Sequence, residues 1–437
     1  MYLSDPRAKR VKKTLDKLHA DLAALFGDDD FPFTKAAALH LQDTFGAKHY
    51  SREQGLVLDH AEGCFVWDTA GKKYLDCIAT YSAIASGHGN IELIAAALKQ
   101  LCKMTSAPNR FINDTQPRLL KEIAFLTSQD GVILMNTGAE AIDTAIKGAR
   151  RWAYRKKGVP ENKAVVISAH GNFHGRTLNA VGLSATDKYR LDFGPFPEGY
   201  AKVPYGDIEA LRAAITPNTA AFIVEPIQGE GGIVLPPQGY LKAVRELCTK
   251  ENVLLIFDEI QTGLGRTGLL FGAYWSGVHP DGIVLGKALG QYVAVSAFAA
   301  RKDVMDCFDA GSHGSTFGGT ALPCAVALKS LELICRSNYA LVRNSLYMGN
   351  YFSMRLRMLK STAIKEVRGK GLFIGVEFDS ALASPDVICS KLLENGLMAG
   401  VAQKTVRFTP PLVISSTEVD LAVEIIARTI GELSHHK

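Results

Sequence analysis

Lys287 follows a short apolar run, Ile283-Val284-Leu285-Gly286, so its amine stands at the end of a strand that the fold should bury. Burial lowers a lysine's pKa, and a deprotonated amine is what Schiff-base chemistry requires. Asp258 ends a second such run, Val253-Leu254-Leu255-Ile256-Phe257. A carboxylate is costly there without a partner, and a protonated pyridine nitrogen is a partner that suits it; the pairing makes the ring an electron sink. Two further segments are suited to meeting a phosphate. Met135-Asn136-Thr137-Gly138-Ala139-Glu140-Ala141 opens a helix just after a strand, so Thr137, Gly138 and Ala139 offer backbone N–H groups and a hydroxyl at a helix N-terminus. His313-Gly314-Ser315-Thr316-Phe317-Gly318-Gly319 interleaves hydroxyl residues with glycines that permit close approach. Taken singly, each has an ordinary alternative: a surface lysine, an aspartate capping a loop, a small-residue helix cap, a tight turn. In this order they compose one site, with a phosphate cup, an acid, a lysine and a second phosphate contact on successive strand ends.

The elements that must position these groups are legible around them. Between about 130 and 320, apolar runs at 132–135, 164–167, 221–224, 253–257 and 283–285 alternate with helical text such as 138–157 and 239–250. Continuous apolar runs separated by helices predict a mainly parallel central sheet with helices on both faces, with functional groups at the carboxyl ends of the strands. Ahead of it, an amphipathic helix is expected over 7–26, ended by Gly27-Asp28-Asp29-Asp30. Strands are expected at Leu56–Leu58, Cys64–Trp67 and Tyr74–Cys77, punctuated by Gly55, Gly63 and Gly71. After about 325 a helix leads into a smaller α+β region, with strands near 372–378 and 405–408 and a closing helix at 417–433. The expected division is a helical segment at 1–50, a large α/β domain at 51–325 that includes the first strands of the small domain, and a small α+β domain at 326–437.

Composition narrows the function classes. The chain has 437 residues, 47% hydrophobic and 21% charged, with a formal net charge of +5. That balance is ordinary for a globular protein, and no apolar run approaches the roughly 18 residues of a membrane span. The first residues do not resemble a secretory signal, and Asp5, Asp16, Asp21 and Asp28–Asp30 are foreign to a transit peptide. Basic clusters at Lys9–Lys13 and Arg150–Lys157 read as solvated helix faces rather than a nucleic-acid footprint. The eight cysteines form no C-x-x-C pair, which disfavours a metal site or a disulfide framework and points to reduced thiols in a cytoplasmic setting.

Six ordered segments together resemble the class III, fold-type I, pyridoxal-phosphate-dependent aminotransferases, from about residue 45 to the C-terminus. They are Asn136–Ala141, Gly171-Asn172-Phe173-His174-Gly175-Arg176-Thr177, Val224-Glu225-Pro226-Ile227-Gln228-Gly229-Glu230, Asp258-Glu259-Ile260-Gln261-Thr262-Gly263, Leu285-Gly286-Lys287-Ala288-Leu289, and the Ser315-Thr316 turn. The resemblance implies a Schiff base on Lys287, phosphate held by Gly138 and Ala139, and a ring flanked by Phe173 and Ile260. It implies Asp258 on the ring nitrogen and Gln261 on the phenolic oxygen, with Thr137, His174 and Ser315 also at the cofactor. Thr316 would reach the phosphate of a second subunit, so a homodimer is implied. One departure stands out: after Lys287 the family usually reads Gly-Gly, an aromatic, Pro and an aliphatic, whereas this chain has Gly290-Gln291-Tyr292-Val293-Ala294-Val295.

Within the class the text resembles the ornithine δ-aminotransferase subfamily, notably at Glu225–Glu230, Gly239-Tyr240-Leu241 and Val244–Cys248. That resemblance makes Tyr50, Tyr81, Arg176, Glu225, Glu230 and Arg407 substrate-side residues. Arg176 and Arg407 can each grip a carboxylate through a forked pair of donors. Glu230 would mask Arg407 when a donor with one carboxylate binds and uncover it for 2-oxoglutarate. The implied reaction moves the distal amine of ornithine, or of a similar ω-amino compound, to 2-oxoglutarate, giving glutamate and a semialdehyde. Another class III ω-aminotransferase (acetylornithine, 4-aminobutyrate, lysine or a diamine) and a class III racemase share the same machinery.

Overall fold

The computed structural model describes residues 6–26, 34–50 and 55–435. The chain opens on a helix at Pro6–Phe26, as its periodicity predicts; the expected stop at Gly27–Asp30 lies outside the described residues. A second helix, Lys35–Phe45, is capped by the Thr34 hydroxyl, which accepts the Ala37 N–H. Three strands then form an antiparallel meander: β1 (Leu58–Glu62), β2 (Phe65–Asp68) and β3 (Lys73–Asp76). β1 begins where the apolar text 56–58 ends. Pairing rather than hydrophobic pattern places it, with Leu58 opposite Asp68 and Glu62 opposite Phe65, and most of β1 is exposed.

The central sheet contains β4 (Gly131–Met135), β5 (Val165–Ala169), β6 (Tyr200–Val203), β7 (Thr219–Val224), β8 (Leu254–Asp258), β9 (Gly282–Leu285) and β10 (Ser296–Ala300), in the order β4-β10-β9-β8-β7-β5-β6. Only β10 runs against its neighbours, pairing antiparallel with both β4 and β9. The sheet is therefore mainly parallel, as predicted. Period-two alternation splits its side chains between two cores. Leu254 and Ile256 of β8 join the core under helix Gly138–Trp152, whereas Leu255 and Phe257 join the core under helix Tyr240–Lys250. Asp258 is next in the first set, so the alternation sends its carboxylate to the face where helix Gly138–Trp152 begins. That helix buries Ala141, Ile142, Ala145, Ile146, Ala149 and Trp152 at the three- and four-residue spacing of one stripe.

Helix Ala321–Met358 crosses from the central sheet to the C-terminal region, broken where Ser337, Asn338 and Tyr339 turn to left-handed φ of 51°, 53° and 57°. Beyond it lie β11 (Ile364–Lys370), β12 (Phe373–Phe378), β13 (Leu397–Met398), β14 (Gly400–Ala402) and β15 (Thr405–Phe408). Four of these form a sheet in the order β11-β12-β15-β14, while β13 joins the first meander beside β3. Helix Ser416–His435 closes the described chain. Among the described residues no helix is long and apolar enough to cross a membrane, and no group of three His, Cys, Asp or Glu side chains is placed to hold a metal ion.

Candidate active site

Parallel strands direct their carboxyl ends to one edge of the sheet, and the expected chemistry collects there. β4 delivers Asn136–Ala139, β5 leads to Phe173–Arg176, β7 to Glu225, β8 ends on Asp258, and β9 leads into Lys287. They enclose a cavity of about 180 Å³ lined by Gly138, Ala139, Phe173, His174, Asp258 and Lys287, with Glu225, Ile260 and Gln261 completing its wall.

The helix start is preformed. Thr137 is the N-cap, its hydroxyl accepting the Glu140 N–H, while the Glu140 carboxylate accepts the N–H groups of Thr137 (2.6 Å) and Asn136 (3.1 Å). This reciprocal capping box satisfies those donors and leaves the amides of Gly138 and Ala139 as the helix groups on the cavity. Gly138 leaves room for Ile260: a Cβ there would lie 2.8 Å from Ile260 Cδ1 and force that side chain to shift.

Asp258 is 3% exposed. Its Oδ1 accepts the Ile260 N–H at 3.0 Å, and its Oδ2 lies 2.7 Å from His174 Nδ1, which donates to it. Burial opposes charge on the His174 ring, but the hydrogen bond and charge of Asp258, helped by Glu225, outweigh it and raise the pKa. Glu225 is pushed up to about 7, chiefly by burial. Its carboxylate accepts the N–H groups of Phe173 (3.2 Å) and Gly229 (3.1 Å), so it fixes the backbone under the Phe173 ring and the start of the Glu230 loop.

Lys287 sits at a left-handed φ of 43°, a conformation L-residues disfavour. Burial lowers its pKa to about 8; Glu230, Asp258 and Glu225 push it up and Arg407 pushes it down. The free-amine fraction therefore rises steeply around pH 8. The rate at which protein stripped of cofactor captures pyridoxal phosphate, followed by absorbance, should rise about tenfold from pH 7 to 9, with its midpoint near 8. A rate still climbing at pH 10 would contradict a depressed lysine.

The segment after Lys287 carries structure that the sequence did not reveal. Gln291, also left-handed at φ 50°, is buried. Its Oε1 accepts from the Ser86 N–H (2.8 Å) and hydroxyl (2.7 Å), and its Nε2 donates to Ser330 Oγ (2.7 Å). Ser330 Oγ in turn donates to Ala288 O at 2.7 Å. Tyr292 Oη donates to Gly87 O and accepts the Asn90 N–H. These side chains bind the lysine turn to the segment 83–90 and to the long helix.

The remaining expected residues are placed as follows. Gln261 lines the cavity, its Nε2 donating to Tyr81 O (3.3 Å) and Ser82 Oγ (3.4 Å). Tyr81 is 52% exposed, in a run of left-handed residues, Ala79–Ser82. Arg407 is buried on β15 and pairs with Glu230 at 2.5 Å. Arg176 is exposed, its guanidinium 3.8 Å over the Tyr189 ring and 5.3 Å from the Phe173 ring centre. Tyr50 is exposed, its ring centre 4.5 Å from that of His49. Ser315 and Thr316 do not line the cavity. Ser315 Oγ accepts from Asn136 Nδ2 at 2.8 Å, and Thr316 is exposed. Tyr189 and Ser82 carry no signal in the sequence, whereas Gln291 stands in the departure already noted after Lys287, as a polar side chain in apolar text.

The cavity fits pyridoxal phosphate on its own donors: helix-start amides, a buried carboxylate and a lysine amine line it together. Comparison with known proteins agrees. The model of the class III aminotransferases matches residues 47–430. An ornithine aminotransferase of Brevibacillus brevis is 47% identical over 390 residues, covering 89% of this chain and 96% of that relative. A crystal structure of the ornithine aminotransferase from Toxoplasma gondii superposes with a TM-score of 0.89 at 40% identity, covering 92% of this chain and 96% of that one. A second Toxoplasma gondii structure, with the same TM-score and identity and covering 93% and 96%, has PLP at partial occupancy at its active site. With this cavity at the strand ends and these matches along nearly its whole length, the chain belongs to the class III aminotransferases, a family of pyridoxal-phosphate enzymes.

Proposed function

We propose that the chain transfers the distal amine of ornithine to 2-oxoglutarate, giving glutamate and a semialdehyde. The observation that carries this reading is the Glu230–Arg407 ion pair, whose charges act on Lys287. A site that alternates between a donor with one carboxylate and an acceptor with two needs a carboxylate-binding arginine that can be covered and uncovered. A buried guanidinium paired with a half-buried glutamate meets that need. Desolvation offsets much of the pair's Coulombic gain, whereas a bare buried Arg407 would be costly, so an incoming carboxylate can replace Glu230 only by taking its place on the guanidinium.

Pyridoxal phosphate, when bound, supplies an electron sink for the negative charge that develops at the amine-bearing carbon. Lys287 would hold it covalently, the amides of Gly138 and Ala139 its phosphate, Phe173 and Ile260 its two faces, and Gln261 its phenolic oxygen. Asp258, aligned by His174 and the Ile260 N–H, would pair with the ring nitrogen. As a free amine, Lys287 Nζ would take the proton from the amine-bearing carbon of the substrate and serve as the group that gives a proton back. Arg176, Tyr81 and Tyr50 would orient the donor. Alternation of donor and acceptor at one site gives ping-pong kinetics.

A homodimer completes this reading. Thr316, exposed on a loop tied beside the helix start through Ser315 and Asn136, would serve a neighbouring subunit's phosphate. The free cysteines suit a cytoplasmic setting. A panel of amine donors with 2-oxoglutarate, read for glutamate, tests the assignment. Glutamate from another ω-amine but not from ornithine would move the reading within the class, and loss of optical rotation without glutamate would select a racemase. Glu230→Gln keeps the shape of the mask and removes its charge. The kcat/KM ratio of ornithine to glutamate should then fall about tenfold to a hundredfold, the scale of one hydrogen bond to a charged group. An unchanged ratio would remove Glu230 from specificity.

A further inference from the structure

Glu230 lies on a loop closed at its base by backbone pairing of Gln228 with Val234, each N–H donating to the other's carbonyl at 3.0 Å. Inside it, Gly229 O accepts the N–H groups of Gly232 (3.1 Å) and Ile233 (3.2 Å), which makes the loop a tight turn. Facing it is β15, where Thr405 and Arg407 are two residues apart and so share one side of the strand. The loop therefore meets β15 at two points. One is the Glu230–Arg407 pair. The other is built by Arg368 of β11.

The Arg368 Nε donates to Gly232 O at 3.0 Å and its Nη2 to Thr405 Oγ1 at 2.6 Å. Its Nη1 donates to Glu366 (2.6 Å) and Glu377 (3.0 Å), which stand opposite each other across β11 and β12. Gly232 is pressed against this group: its φ is +108°, and a Cβ there would lie 3.1 Å from Thr405 Oγ1 and 3.4 Å from Arg368 Nη2. The two attachments differ in kind. A substrate carboxylate can compete with Glu230 for Arg407. It cannot compete with a backbone carbonyl for Arg368, because two glutamates already surround that guanidinium and repel a further anion.

We propose that Arg368 is a positioning residue that fixes where Glu230 falls relative to Arg407, and thereby sets how the site is shared between a donor with one carboxylate and an acceptor with two. The inference rests on the ω-aminotransferase reading above. In this arrangement the loop backbone stays docked through both half-reactions, and only the Glu230 side chain swings. Without the Gly232 anchor the loop drifts, Glu230 pairs less often with Arg407, and the uncovered arginine favours dicarboxylates.

Single-turnover half-reactions, followed by the absorbance of the bound cofactor, test this in the holoenzyme. In Arg368→Met the kcat/KM ratio of the preferred amine donor to glutamate should fall about tenfold, mainly through KM, and Arg368→Lys should restore part of it. Thr405→Val, which removes one acceptor and keeps the shape, should shift the ratio the same way by a smaller factor. In a Glu230→Gln background, Arg368→Met should leave the ratio unmoved, because the arginine acts through that carboxylate. Amide hydrogen exchange at 229–234 should quicken in Arg368→Met protein stripped of cofactor. An unchanged ratio in folded Arg368→Met and Thr405→Val protein, or a shift of equal size in the Glu230→Gln background, overturns the proposal. The ratio is read with whichever donor the wild type uses best, so a failure of ornithine itself falls on the functional reading alone.

Discussion

Replacing Lys287 by alanine should lower turnover about 10⁴-fold, the upper end of what one positioned proton-transfer group contributes. The residue is asked to do two things. In the proposed reaction it would hold the cofactor covalently and, as a free amine, carry a proton at the substrate carbon. Both need an uncharged amine, and burial supplies one by bringing the pKa to about 8. Alanine removes the amine and leaves the cavity walls in place. The variant should therefore still bind pyridoxal phosphate through the helix-start amides and Asp258, but with the absorbance of the free aldehyde. A small primary amine added to the solution should recover part of the proton transfer. Turnover within a few-fold of wild type would end the assignment.

Asp258→Asn should cost about 10²–10³ in kcat, the range found when a single preorganised electrostatic group is removed from a site. The substitution keeps volume and removes charge. In the proposed arrangement the ring nitrogen would lose the carboxylate that favours its proton, and the electron sink would weaken. The effect should appear in the proton-transfer step, read as a slower single turnover with an increased isotope effect at the amine-bearing carbon. A second consequence follows from His174. Its pKa is raised in the folded state, so the imidazolium–carboxylate pair stabilises the fold fully below the ordinary histidine value near ~6.5 and loses that contribution as pH rises through the raised value. In Asp258→Asn this pH-dependent increment should disappear, and the urea midpoint should no longer fall over that window. A retained increment would place its origin elsewhere.

The central sheet was legible because its strands are buried on both faces and read as continuous apolar runs; every residue of β7, β8 and β9 is buried. The same rule hid β6, an edge strand of mixed burial, and β10, whose Ser-Ala-Phe-Ala-Ala carries little β signal. Lys287, Asp258 and the Thr137–Ala139 helix start were readable because each ends a strand, and strand ends of a parallel sheet share one edge. The Glu230–Arg407 pair came from resemblance; no periodicity joins residues so far apart. The bonds of Gln291 could not be read, because they join Ser86, Ser330 and the lysine turn across the chain. The same holds for Arg368, whose acceptors lie on the Gly232 loop, β12 and β15 as well as on its own strand.

The left-handed run Ala79-Thr80-Tyr81-Ser82 has a consequence for variation. None of the four is glycine, and an L-residue in that region costs roughly 1–2 kcal/mol. The wall that carries Tyr81 is thus a local energy debit, held by the contacts of Gln261 from one side and of Gln291, through Ser86, from the other. A population of sequences selected for heat resistance alone should accumulate glycine and asparagine in this turn first. Those lineages would trade discrimination between amines for robustness, because the turn that aims the tyrosine would no longer have a single shape.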